Sequence, residues 1–298
     1  MKAHEQGYIA KKEEKGAGME ELKDYLEASR ARKESLESNE KNPAHIKNHV
    51  DRVFDYMAML NTASHTPIKL NTGIAAVDKV TGGLGLGELV AINGDSGSGR
   101  TALALHYAIE TAEKTGKPVR IYSQAHSAHQ ITMRLLSMLT GIPISVIETA
   151  QFYDYQYIQL ATAANWLGSQ DICVYDMAMS IEQLLDSFQF RIDFALLIID
   201  GAPMCELEPK TLQNMLLFAR QMECCVIFNG NYLSVAPYIE GKVDKVLNLE
   251  HLEDNAYRFE LRWTQLGKRD HSCLYWNKSC LSFTDEPIYI VKKEDDCV

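Results

Sequence analysis

The chain has 298 residues, 46% apolar and 9% aromatic, enough to bury a packed core, with a formal net charge of −10. No run approaches the ~18 apolar residues of a membrane helix, and no apolar stretch follows the charged start, so neither a span nor a secretory leader is expected and the protein is read as cytoplasmic. Proteins that clamp duplex DNA are usually basic, whereas the cations here are dispersed among acids; no basic patch is evident, and any DNA contact is expected from local loops or assembly.

Residues 1–42 are charged and polar, with only a thin stripe of Leu22, Tyr25, Leu26 and Leu36, and are expected to be flexible. Pro43 opens a better segment. Ile46, Val50, Val53, Phe54 and Met57 recur at spacings of three and four, predicting a helix that ends near Asn61 and a polar linker to Pro67. Its apolar face is expected to dock either on its own domain or on a neighbouring subunit.

From Ile68 to residue 286 short apolar runs alternate with helical patterns. Glu88–Asn93 predicts a strand, Thr101 to about Lys114 a helix, Val119–Ser123 a strand, and Ala128–Leu139 a helix closed by the turn Gly141–Pro143. Then come a strand at Asp171–Asp176, a helix at Ser180–Gln189, a strand at Phe194–Asp200, a helix at Thr211–Met222 and a strand at Cys224–Asn229. Such alternation predicts an α/β domain with a mainly parallel sheet flanked by helices. Val246–Glu250, Ala256–Leu266 and Ser272–Phe283 look like successive antiparallel strands, and residues 287–298 form a short tail. The seven cysteines show no metal-ligand spacing and are read as reduced core residues.

Gly94, Asp95, Ser96, Gly97, Ser98, Gly99, Arg100 and Thr101 fit a phosphate loop, preceded by a strand and followed by a helix, with Arg100 in place of the usual Lys. Glycines let backbone N–H groups turn inward, and the helix N-terminus adds partial positive charge where the phosphates of ATP would sit. Thr101 is positioned to ligate Mg²⁺, and Asp200, closing the most apolar strand, is the candidate Walker B carboxylate that would hold the same ion through water. Arg keeps the means to bind phosphate but presents a broad planar fork where Lys has a compact ammonium, so hydrolysis is expected to suffer more than binding.

The run Leu70–Leu84, then Gly87-Glu88-Leu89, the phosphate loop, Lys117–Ser123 and Gln130–Leu136 together resemble the RecA-type C-terminal domain of DnaB-like replicative helicases, over roughly residues 45–285. The resemblance implies a RecA-like fold, ATP and Mg²⁺ as cofactors, and a helix at Ala44–Asn61 that docks on the next subunit of a ring. The family's separate N-terminal domain has no counterpart in residues 1–42. Where the family has Ser-Leu-Glu-Met, whose Glu activates water, this chain reads Ser123-Gln124-Ala125-His126. Where it has a Ser-Gln sensor, Asn229 and Asn231 stand as approximate substitutes; its trans finger corresponds to Lys268-Arg269 at altered spacing. His126 and His129 are read as polar loop residues.

The resulting expectation is a nucleotide-binding, replication-associated protein with weak or absent hydrolysis, acting by assembly with itself or with a helicase ring. The alternatives are an active divergent replicative helicase and a RecA- or KaiC-like regulatory ATPase.

Overall fold

Leu89–Gly94, Leu196–Asp200 and Cys225–Gly230 are buried at every position, the pattern of strands covered on both faces. The computed structural model describes residues 68–188, 194–202, 207–230, 239–265 and 267–287, with Glu27, Ile46, Val50, Val53 and Phe54 of the N-terminal part. The elements are β1 (Lys69–Leu70), α1 (Ala75–Thr81), β2 (Leu84–Gly85), β3 (Leu89–Gly94), α2 (Arg100–Thr115), β4 (Val119–Ser123), α3 (Ala128–Thr140), α4 (Ile144–Thr149) and α5 (Asp154–Ser169). They continue with β5 (Ile172–Tyr175), α6 (Ile181–Phe188), β6 (Leu196–Asp200), α7 (Pro209–Gln221), β7 (Cys225–Gly230), β8 (Lys245–His251), β9 (Ala256–Thr264), β10 (Asp270–Asn277) and β11 (Ser282–Thr284).

The main sheet runs β11-β10-β9-β8-β3-β7-β6-β4-β5, and β1 pairs separately with β2. Neighbours from β8 through β5 are parallel; β9, β10 and β11 join antiparallel. Side chains alternate between two apolar layers, as a period of two requires. Val90, Ile92, Leu196, Ile198, Cys225 and Ile227 pack in the layer that contains α2 residues such as Leu103 and Tyr107. Leu89, Ala91, Leu197, Ile199, Val226 and Phe228 pack in the layer with Leu184, Leu212 and Met215 of α6 and α7.

The Val246–Glu250 strand, within β8, pairs antiparallel with β9 as expected and parallel with β3 on its other edge. Two expectations need correction, and one span carried none. Ser272–Phe283 is two strands: Asn277 Oδ1 accepts from the N–H groups of Ser279 and Cys280, and Leu281 takes a positive φ of 48°, turning the chain between β10 and β11. The span between Pro143 and Asp171 holds α4 and α5, in neither of which any residue is buried, so no strong apolar period marked them. Of the cysteines, Cys224, Cys225 and Cys280 are buried, but Cys173 is half-buried and Cys273 is exposed.

In the N-terminal part, Ile46, Val50, Val53 and Phe54 are helical and 42–69% exposed. Residues 1–26, the linker, Met57, Asn231 and the end of the tail lie outside the described residues.

β11 is fastened to α2 by His106, whose Nε2 accepts the Phe283 N–H at 3.3 Å and lies 3.0 Å from Ser282 Oγ. Burial drives the His106 pKa down to about 4, against the opposing pull of a hydrogen bond to the Thr72 backbone. The folded value lies below the ordinary 6.5, so the unfolded chain takes up the proton first. Stability is therefore full above about pH 6.5 and falls as pH drops towards 4, by at most about 3 kcal/mol. Urea unfolding between pH 7 and 4.5 should show this loss, with a flatter pH slope in His106→Asn.

Candidate nucleotide site

In a parallel sheet flanked by helices, ligands sit beyond the carboxyl ends of the strands. Here the ends of β3, β6 and β7 and the turn after β4 line one cavity of about 370 Å³. Its floor is the loop Ser96–Thr101, running into α2. The first N–H groups of a helix have no intrahelical acceptor, and α2 carries no acid in its first turn, so this end suits an anion. Gly97 and Gly99 take φ of +80° and +87°. A Cβ at Gly99 would lie 2.5 Å from Phe283 Cζ, whereas one at Gly97 meets nothing within 4 Å. Phe283, with Trp276 at 4.8 Å between ring centroids, therefore presses directly on the phosphate loop.

Asp200, 1% exposed at the end of β6, is the centre of the site. Its Oδ1 accepts from Thr101 Oγ1 at 2.6 Å and Asn229 Nδ2 at 2.8 Å, and its Oδ2 accepts from Ser123 Oγ at 2.8 Å. His126 Nδ1 lies 3.0 Å from the same Oδ2, and Arg134 Nη2 lies 3.0 Å from His126 Nε2. A guanidinium only donates, so Nε2 is the acceptor, which places the ring proton on Nδ1 facing Asp200. Burial pushes the Asp200 pKa up; the hydrogen bonds from His126, Thr101, Asn229 and Ser123 outweigh it and hold the carboxyl below its ordinary value.

The predicted site residues fall out as follows. Gly94 to Thr101 form the strand end, loop and helix start, and Thr101 lies in hydrogen-bond contact with Asp200. Arg100 Nη1 donates to the carbonyls of Gly94 and, at 2.8 Å, Asp95, so the guanidinium fastens the loop that it belongs to. Ala125 lines the cavity. Asn229 donates to Asp200 and accepts the Gly201 N–H at 2.8 Å, which makes it a holder of the carboxylate. Lys268 and Arg269 are exposed in the β9–β10 turn, where Lys268 Nζ donates to the Val80 carbonyl at 3.0 Å. Arg269 is roughly 20 Å of extended strand from the cavity-lining Trp276. His126, read from sequence as a loop residue, and Arg134, within the Gln130–Leu136 run but not singled out, both belong to the site.

A phosphate loop on β3, an acidic end on β6 and a mainly parallel sheet with an antiparallel extension define a RecA-like α/β domain. The profile of the DnaB-like helicase C-terminal domain matches residues 69–211, so this stretch is similar to that domain. The chain is 32% identical over 140 residues to the replicative DNA helicase DnaB of Pasteurella multocida (45% of this chain, 30% of that protein). It is 28% identical over 131 residues to the DnaB of Geobacillus stearothermophilus (44% and 29%). The aligned part thus spans about a third of these relatives' length. Among solved structures, one described as an ATPase domain aligns with a TM-score of 0.68 at 16% identity, over 82% of this chain and 99% of that one. The structure described as a DnaB-like replicative helicase and its interactions with primase aligns with a TM-score of 0.64 at 15% identity (78% and 66%). Both structural likenesses speak to the fold.

Gly97→Ala and Gly99→Ala separate backbone strain from contact. Each forces an L side chain into positive φ, costing about 1–2 kcal/mol, but only Gly99→Ala also drives a methyl into Phe283, adding about 1–3 kcal/mol. Chemical denaturation should rank wild type above Gly97→Ala above Gly99→Ala; equal losses would mean that Phe283 does not bear on the loop.

Proposed function

We propose that this protein is a DnaB-like nucleotide-binding protein of DNA replication that holds ATP with Mg²⁺, hydrolyses it weakly or not at all, and acts through assembly with itself or with a helicase ring. The observation that carries this reading is Ala125. It lines the phosphate-loop cavity at the position where the resemblance expects a water-activating Glu, and a methyl group accepts no proton. His126 beside it has both ring nitrogens engaged, by Asp200 and Arg134, so it is not free to serve as the base. A general base contributes about 10²–10⁴-fold to rate. Arg100, tied to loop carbonyls, adds a second departure at the point where charge on the transferred phosphate must be stabilised.

Binding requires less. The Thr101 hydroxyl and the Asp200 carboxylate, 2.6 Å apart at the cavity, fit a magnesium ion, which when bound would neutralise phosphate charge. Thr101 would exchange its bond to Asp200 for the ion, and Asn229, Ser123 and His126 would keep the carboxylate in place.

Purified protein should bind Mg²⁺·ATP, lose that binding in Thr101→Ala, and turn over far below the median enzyme rate of about 10 s⁻¹. Arg100→Lys with Ala125→Glu should raise hydrolysis by more than the product of the single gains, since residues acting as one unit are non-additive. Wild-type turnover near 10 s⁻¹ would instead support an active helicase motor.

Assembly is supported by the exposed helical residues Ile46, Val50, Val53 and Phe54. Burying such side chains stabilises by about 1.5–3 kcal/mol each. Sedimentation should find wild type oligomeric and Val53→Asp with Phe54→Asp a folded monomer; a wild type that stays monomeric at micromolar concentration and binds no helicase would place the docking within the chain.

A further inference from the structure

Arg134 is the second guanidinium on the phosphate-loop cavity, alongside Arg100. It projects half-buried from α3, and its one hydrogen bond among the described residues is the donation to His126 Nε2 at 3.0 Å. Burial lowers its pKa, and the charge of nearby Asp200 pulls it back up. A guanidinium carries five N–H donors, so most of those on Arg134 have no acceptor among the described residues. Holding such a group partly out of water is unfavourable unless an anion completes its bonds.

Its location indicates which anion. The loop sits at the end of β3, while Ala125 and His126 come from the β4–α3 connection and Arg134 from α3 itself, and β7 and β6 separate β4 from β3 in the sheet. At the usual spacing of about 4.8 Å between strands, that wall is displaced by about 14 Å from the base of the loop. A chain of phosphates starting at the loop and the α2 N-terminus would run past Thr101 and Asp200 towards the wall that carries Arg134. Arg100 bonds to the Gly94 and Asp95 carbonyls at the loop itself, so it does not duplicate this position.

We propose that Arg134 selects the triphosphate: its guanidinium, presented by His126, donates to the terminal phosphate of a bound nucleoside triphosphate and gives the site a preference for that ligand over the diphosphate. The inference rests on the nucleotide-binding reading above and adds the residue that distinguishes its ligands. His126 is then a positioning residue for both partners, holding Asp200 through Nδ1 and Arg134 through Nε2. Arg suits this task because its fork reaches two phosphate oxygens at once, where Lys reaches as a point charge.

Equilibrium titration of the full chain with Mg²⁺·ATP and with Mg²⁺·ADP tests it. Wild type should prefer ATP by about tenfold or more, as one charge-assisted contact implies. Arg134→Gln should bind the two alike, and Arg134→Lys should recover part of the preference. Circular dichroism melting establishes that each variant is folded; if the Gln variant is not, a reduced preference in the Lys variant carries the result. An ATP preference that survives unchanged in the folded variants, or a wild type that binds ATP and ADP equally, overturns the role of Arg134 while leaving nucleotide binding intact. A wild type that binds neither nucleotide refutes the nucleotide-binding reading itself, and this inference with it.

Discussion

The buried Asp200 carboxylate is the constraint around which this domain is arranged. A charge with 1% of its surface exposed is tolerated only where hydrogen bonds replace water, and here four side chains supply them. They come from α2, the end of β4, the turn that follows it and β7, so one carboxylate fixes the relative positions of four elements at the sheet's carboxyl edge. Two of these contacts are themselves supported: Asn229 holds the Gly201 N–H, and His126 receives Arg134. Buried polar groups linked in this way are costly when one member is lost, because each leaves a partner unsatisfied.

That network also divides the chemistry. It preorganises what nucleotide binding needs, a loop, a helix N-terminus, a hydroxyl and a carboxylate, and it engages the imidazole nearest the position where a proton acceptor would be required. Arg100 makes a similar trade, since its donors stabilise the loop carbonyls. The antiparallel extension contributes from outside: Phe283, fastened through its N–H to His106, seats its ring against Gly99. The phosphate loop is therefore supported from both sides, by the Asp200 network and by the β10–β11 hairpin.

Much of this was legible in the sequence because its physics is local. A strand buried on both faces needs a continuous apolar run, and a phosphate loop needs glycines at fixed offsets, so β3, β6, β7 and the loop were all marked. Strand direction followed from the connections: helices between strands imply parallel pairs, and the helix-free run after β8 implies antiparallel ones. α5 left no strong signature because it buries none of its residues, exposing Tyr155, Tyr157 and Ile158 to solvent. The break between β10 and β11 depends on an Asn277 side-chain turn within a run that otherwise reads as strand. His126 and Arg134 went unrecognised because their role arises from strands distant in sequence meeting at Asp200, 74 and 66 residues further along the chain.

The central claim is that this pocket retains a nucleoside triphosphate without cleaving it. The direct measurement is to incubate the protein with Mg²⁺·ATP for hours, separate it rapidly from free ligand, and identify the nucleotide that stays bound by ion-exchange chromatography. The account predicts intact ATP, at an amount that tracks the folded protein and is lost in Thr101→Ala. Recovery of bound ADP, formed at a rate above that of ATP in buffer alone, would contradict it.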